Sequence, residues 1–205
     1  MHYVVQTIYS VIKDFITFVL TSAGIIIAGR GLSTWRKQIK GTKEFEALYN
    51  LNYSLLKLRN AIKYVRNPAI WPSEQYQAIQ YFKNKYPDKV EEENLEKNSS
   101  AYVYEMRWEK ITNSYAKMES YLLAVEVLWG PEILEKIKPV KKKITELNIA
   151  LKQYFQPKLK TVSSADIHKI IYDQSGEENE DVFSGDINKS IKDIADYLKQ
   201  KIKQK

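Results

Sequence analysis

The sequence predicts an all-α chain, an N-terminal transmembrane helix followed by an antiparallel helical bundle of about four to five helices. Three observations carry this reading. A run of fifteen uncharged residues, FITFVLTSAGIIIAG, extends from Phe15 to Gly29. Apolar residues then recur at alternating steps of three and four in three later segments, the spacing of a single helix face. Only 7 Gly and 6 Pro interrupt 205 residues, which leaves long helices with few breaks. No segment alternates with period two, so little or no sheet is expected. The expected organisation is a membrane anchor over residues 1–30 and a cytoplasmic bundle over residues 31–205.

The anchor comes first. Fifteen residues at about 1.5 Å each cover roughly 22 Å, short of a hydrocarbon core of about 30 Å. Tyr3 to Ile12 is also apolar apart from Gln6, Thr7 and Ser10. Lys13 and Asp14 then fall near one interface, where the lysine stem snorkels. A helix from about residue 9 to residue 29 spans the bilayer with little mismatch. Arg30, Arg36, Lys37, Lys40 and Lys43 follow the run, against Lys13 alone before it. The excess of positive charge places the C-terminal part in the cytoplasm and the N-terminus outside. Arg30, Trp35, Arg36, Lys37 and Gln38 form the membrane junction, and Gly24 with Ala28 permits close helix–helix approach. A buried core helix and a cleaved signal peptide are the competing readings. The second lacks a basic start, and Ile25–Ile27 would follow its Thr21-Ser22-Ala23 cleavage site.

The bundle is read from its seams. Leu48, Leu51, Leu55, Leu58, Ile62 and Val65 form the first, ended by Asn67-Pro68. Trp108, Ile111, Tyr115, Met118, Leu122, Val125 and Trp129 form the second, ended by Gly130-Pro131. Ile133, Ile137, Val140, Ile144, Leu147, Leu151 and Tyr154 form the third, which Pro139 should kink or delay. Ser73 is the expected cap of a helix reaching about Asn84, Ser164 of a short one ending at Ile171, and Asp186 of a last one carrying Ile187, Ile191, Ile194, Leu198 and Ile202. Two acidic stretches read as solvated loops, Asp88–Ser100 with Glu91, Glu92, Glu93 and Glu96, and Ser175–Asp186 with Glu177, Glu178, Glu180 and Asp181.

The chemistry the residues allow is limited. Without cysteine there is no disulfide, thiol catalysis or thiolate metal site, and His2 and His168 are too few for a histidine cluster. No phosphate-binding glycine loop or nucleophile elbow occurs. No catalytic residue, metal site or cofactor is therefore expected, and the chain is not read as an enzyme. Glu105 and Glu109, one turn apart, read as surface charges, and His168 as a surface or interface residue.

The net charge of +7 is divided between the segment after the anchor, Lys136–Lys143 and the C-terminal lysines. Membrane lipid explains this distribution more economically than nucleic acid, which wants arginines and aromatics gathered in one recognition module. One basic group stands out. Arg59, Lys63 and Arg66 share a stripe beside the first seam, with Asn67 at its end. They form either a pocket for an anionic ligand or a set of ion pairs to Glu119 and Glu126 on the facing helix, and the pairing is the favoured of the two.

Gly31, Leu32, Trp35, Arg36, Gln38 and Gly41, followed by Arg59, Ala61, Ile62, Arg66, Asn67 and Pro68, give the chain a further character. This pattern resembles a group of uncharacterised bacterial proteins with one N-terminal membrane helix, in which Gly-Leu-x-x-Trp-Lys/Arg-x-Gln leads into a helix ending at Arg-Asn-Pro. The resemblance covers about a fifth of the chain. It implies a bacterial inner membrane and supplies no activity. The expected role is an interaction or signalling protein that binds a protein partner or itself. A membrane-perturbing effector and a receptor or enzyme using the basic stripe are the alternatives.

Overall fold

In the computed structural model, residues 2–87, 95–156, 163–175 and 181–203 are described, with side chains of these from residue 13 to residue 202. They form six helices: α1 (His2–Val65), α2 (Pro72–Lys85), α3 (Ser99–Trp129), α4 (Glu132–Phe155), α5 (Ser164–Ile171) and α6 (Val182–Lys203). There is no strand among the described residues. The chain divides into two compact units, Met1–Glu46 and Ala47–Lys205.

The first unit is helix throughout its described residues. It includes an apolar segment long enough to cross a membrane, and none of that segment is buried by protein. Thr17 and Thr21 return their hydroxyls to the carbonyls of Lys13 and Thr17, at 2.9 and 2.8 Å. Their polar atoms are thereby satisfied within the helix, as an apolar surrounding requires. Residue 30 falls inside this helix without a break.

The second unit has a core drawn from five helices. Leu51, Leu55, Leu58, Ile62 and Val65 of α1 belong to the same buried cluster as Ile111, Met118, Leu122 and Val125 of α3 and Ile133, Ile137, Val140 and Leu147 of α4. Ile167 and Ile171 of α5 and Ile187, Ile191, Ile194 and Leu198 of α6 complete it. Burying each such side chain contributes about 1.5–3 kcal/mol. Helix α2 adds a smaller cluster in which Ala78 packs with Tyr102 and Val103 of α3. The rings of Phe82 and Tyr102 stack there at 4.1 Å. The heptad seams thus predict the buried faces, with Trp108, Tyr115 and Trp129 half-buried against the core and Tyr154 and Ile202, at helix ends, exposed.

Helix starts differ from the sequence expectations. Trp71, not Ser73, is the N-cap of α2, because Pro72 occupies the first helical position, where its missing N–H costs nothing. Ser163, not Ser164, caps α5: its Oγ accepts from the Asp166 N–H at 3.2 Å and donates to the Asp166 carboxylate at 2.7 Å. Asp181, not Asp186, caps α6 by accepting the Ser184 N–H at 2.7 Å. Pro139 does not delay α4, which begins at Glu132 and runs through the proline to Phe155. Its ring lies on the exposed face, where solvent can serve the carbonyl left without a donor. Between α3 and α4, Gly130 adopts φ +86, a left-handed conformation that glycine supplies without steric cost.

Of the two acidic stretches, Glu91, Glu92, Glu93, Glu177, Glu178 and Glu180 lie outside the described residues. Asp181, read from sequence as a solvated loop residue, instead belongs to a buried ion pair.

Candidate functional site

The end of α1 gathers the polar chemistry of the second unit. Two arginines there are buried almost completely, Arg66 immediately after α1 and Arg107 from α3. A buried guanidinium is tolerated only when it is paired and its donors are met. Both arginines meet these conditions.

Arg66 Nε donates to the Ile170 carbonyl at 2.7 Å, and Nη2 to those of Lys169 and Tyr172 at 3.0 and 2.7 Å. These carbonyls lie at the C-terminal end of α5, where helix carbonyls lack intrahelical donors and favour a cation. The guanidinium also grips both carboxylate oxygens of Asp181, at 3.2 and 2.9 Å, and the Ser184 hydroxyl at 2.7 Å. Phe183 covers one guanidinium face at 4.4 Å. Burial by itself would raise the Asp181 pKa. The Arg66 bonds and the backbone N–H groups of Ser184 and Gln174 outweigh it and hold the carboxyl well below the usual carboxylate range. In return, the Arg66 carbonyl accepts from the Asp173 N–H at 2.8 Å. One side chain therefore joins α1, the end of α5 and the start of α6.

Arg107 performs a similar task toward α2. It grips Glu74 through Nε and Nη2, at 2.8 and 2.7 Å, and donates to the carbonyls of Asn67 and Ala69 at 2.5 and 2.6 Å. Tyr64 donates to the same carboxylate at 2.9 Å. The Arg107 bonds depress the Glu74 pKa despite burial. Burial, reinforced by Glu74, raises that of Tyr64. The Asn67-Pro68 break is thereby tied down from both sides.

The four residues singled out as a stripe separate in space. Arg66 is consumed by Asp181. Asn67 is exposed and closes a local turn, its Oδ1 accepting the Ala69 N–H at 3.0 Å. Neither Glu119 nor Glu126 pairs with the stripe. Glu119 instead binds Lys141 of α4 at 2.8 Å, because that lysine lies on the neighbouring helix at the right level. Arg59 and Lys63 remain together and line a polar cavity of about 280 Å³ with Asn60, Asp173, Ser175, Ser184 and Asn188.

The remaining expected site residues lie in the first unit. Trp35, Arg36, Lys37 and Gln38 are exposed, as is Arg30. Gly24 has nothing within 4 Å of where a Cβ would stand, and Ala28 is exposed. Within Lys136–Lys143, Lys138, Lys141 and Lys143 are paired to Glu135, Glu119, and Glu146 with Asp186. Much of that basic run is thus already neutralised within the protein. His168 is exposed and packs edge-on against Tyr154 at 5.6 Å. Among the described residues, no group of three or more histidines and carboxylates is arranged to hold a metal ion.

Sequence reasoning missed Arg107 and its partner Glu74. The available signal was a single charged residue placed immediately before the apolar seam that begins at Trp108. Tyr104 was also passed over; burial pushes its phenol up to about 12.

No family model, curated protein or solved structure matches this chain.

Proposed function

We propose that this chain is a single-pass membrane protein that holds an antiparallel helical bundle at the cytoplasmic face of a bacterial inner membrane. It acts there as a non-enzymatic interaction or signalling protein. The observation that carries the reading is the exposure of the apolar half of α1. Phe15, Phe18, Leu20 and Ile25–Ile27 are left open by the protein, whereas the core helix of a water-soluble fold covers such residues. A lipid surrounding removes the cost of exposing them.

Orientation is proposed from the basic flank, Arg30, Arg36, Lys37, Lys40 and Lys43, with the N-terminus outside. Trp35 and Gln38 sit at the headgroup level. The bacterial setting rests on the resemblance over Gly31–Pro68. The partners are membrane lipid together with another protein or a second copy. No nucleic acid is expected.

The test is protease access to a C-terminal tag in intact spheroplasts, with carbonate extraction of membranes. A tag protected until lysis, on a protein retained in the pellet, supports the proposal. Release into the carbonate supernatant overturns it.

We infer as a second reading an effector that perturbs the bilayer by clustering through Gly24 and Ala28, whose small side chains permit close helix approach. Toxicity on overexpression that disappears with Gly24→Ile would support it, and harmless expression of the native chain would exclude it.

A further inference from the structure

The polar cavity between the last turns of α1 and the first turn of α6 holds an imbalance that the fold does not use. Among the described residues the Arg59 side chain hydrogen-bonds to the Asn60 Oδ1 alone, at a long 3.4 Å through both Nε and Nη2. Lys63 is exposed and forms no ion pair among the described residues. Their neighbours Arg66 and Arg107 are both fully engaged with carboxylates. Among the described residues Arg66 and Arg107 each hold a carboxylate, whereas Arg59 and Lys63 hold none.

The rest of the lining supplies complementary groups. Ser184 Oγ already accepts from Arg66 Nη1, so its own hydrogen is available to donate. Behind it, the Arg66–Asp181 pair fixes Ser184 in place at the start of α6. Asp173 also lines the cavity, with one carboxylate oxygen accepting the Ser175 N–H at 3.1 Å and the other without a hydrogen bond among the described residues. The volume of about 280 Å³ lies at the small end of the range for ligand sites.

We propose that this cavity binds a small hydroxylated phosphomonoester. Arg59 and Lys63 hold the phosphate, with Ser184 donating to it, and Asp173 accepts a hydroxyl hydrogen from the remainder of the ligand. Charge-assisted bonds of this kind are the strong ones, and the buried Arg66–Asp181 pair lies beneath the site. Because residues of both α1 and α6 line the cavity, the ligand adds a bridge between them and stabilises the folded state by mass action. The inference stands independently of the membrane reading.

The experiment uses the full chain in detergent, with calorimetric titration and thermal unfolding. The probes are inorganic phosphate, glycerol 3-phosphate and micelles doped with phosphatidic acid. The expected result is saturable binding of glycerol 3-phosphate with a rise in unfolding temperature, weakened about tenfold or more by Arg59→Gln with Lys63→Gln. Lys63→Gln alone, at an exposed position without a partner, gives a smaller loss in a chain of native stability. Asp173→Asn removes the preference for glycerol 3-phosphate over inorganic phosphate. Binding to glycerol 3-phosphate assigns the site to a soluble metabolite, and binding to phosphatidic acid alone assigns it to a lipid headgroup; either supports a phosphomonoester site. No binding of any probe overturns the proposal, as does binding that both glutamine variants leave unchanged.

Discussion

Along α1 the same residue types occur in two surroundings. Phe15, Ile16, Phe18, Val19, Leu20, Ile25, Ile26 and Ile27 are exposed, whereas Leu48, Leu51, Leu55, Leu58, Ile62 and Val65 are buried. The first set runs almost without interruption around the helix. The second returns only every third or fourth residue, with Lys57, Arg59 and Lys63 between. A stripe matches a neighbouring helix on one side and water on the other, while an all-round apolar surface matches a medium that surrounds it. The comparison teaches that pattern distinguishes the two surroundings where hydrophobicity alone does not.

Substitutions on the two halves should therefore fail in different ways. The largest effect is expected at the end of the buried half. Arg66→Ala leaves Asp181 without its cation and the α5 carbonyls without donors, a loss of about 3–5 kcal/mol measurable by chemical unfolding in detergent. Leu55→Ala in the same half should cost about 2–5 kcal/mol by loss of packing. Leu20→Ala in the exposed half should leave unfolding of the second unit within about 0.5 kcal/mol of native. If both leucines cost the same, the distinction between the halves collapses.

A charge reverses the order. Ile26→Asp should cost about 2.5–3.5 kcal/mol in membrane insertion, read as release from carbonate-washed membranes, with little change in unfolding of the second unit. Acid should act on the second unit through Glu74 and Asp181. Their folded pKa values are depressed, so their contribution is present in full above the unfolded carboxyl values of 4.5 and 3.8 and is lost as pH falls through the lower folded values. Alkali should act through Tyr104, whose folded pKa is raised to about 12; its contribution is complete below the unfolded value of 10.0 and disappears as pH climbs toward 12. Unfolding midpoints across pH should show both flanks. The smallest effect is expected from Glu119→Ala, which breaks a half-exposed pair with Lys141 and should cost about 0–1 kcal/mol.

The buried faces were legible in the sequence because a helix repeats its environment every few residues, and Leu51, Met118 or Ile137 announces a face through its neighbours. The arginine centres were not. Arg66 stood out as basic, but Asp181 lies 115 residues further along, and no local rhythm connects two such positions. Arg107 and Glu74 are separated by 33 residues and belong to different helices. Helix starts were also harder to read, since Ser163 and Ser164 are chemically identical candidates and only backbone geometry decides between them. The cavity with Arg59 and Lys63 was half visible. Its basic side is local to α1, and its Ser184 and Asp173 side arrives from the far end of the chain.

That distance has a consequence for synthesis. Arg66 is made about 6 to 23 s before Asp181 at ribosomal speeds of roughly 5–20 residues per second. Throughout that interval the guanidinium has no carboxylate and must remain hydrated, so the end of α1 cannot settle against its eventual neighbours. A chain released early, before Asp181, keeps an unmatched charge at the point where its core should close. Such a fragment lacks the partner that a buried guanidinium requires, so synthesis of Asp181 is the step after which this end of the core can close.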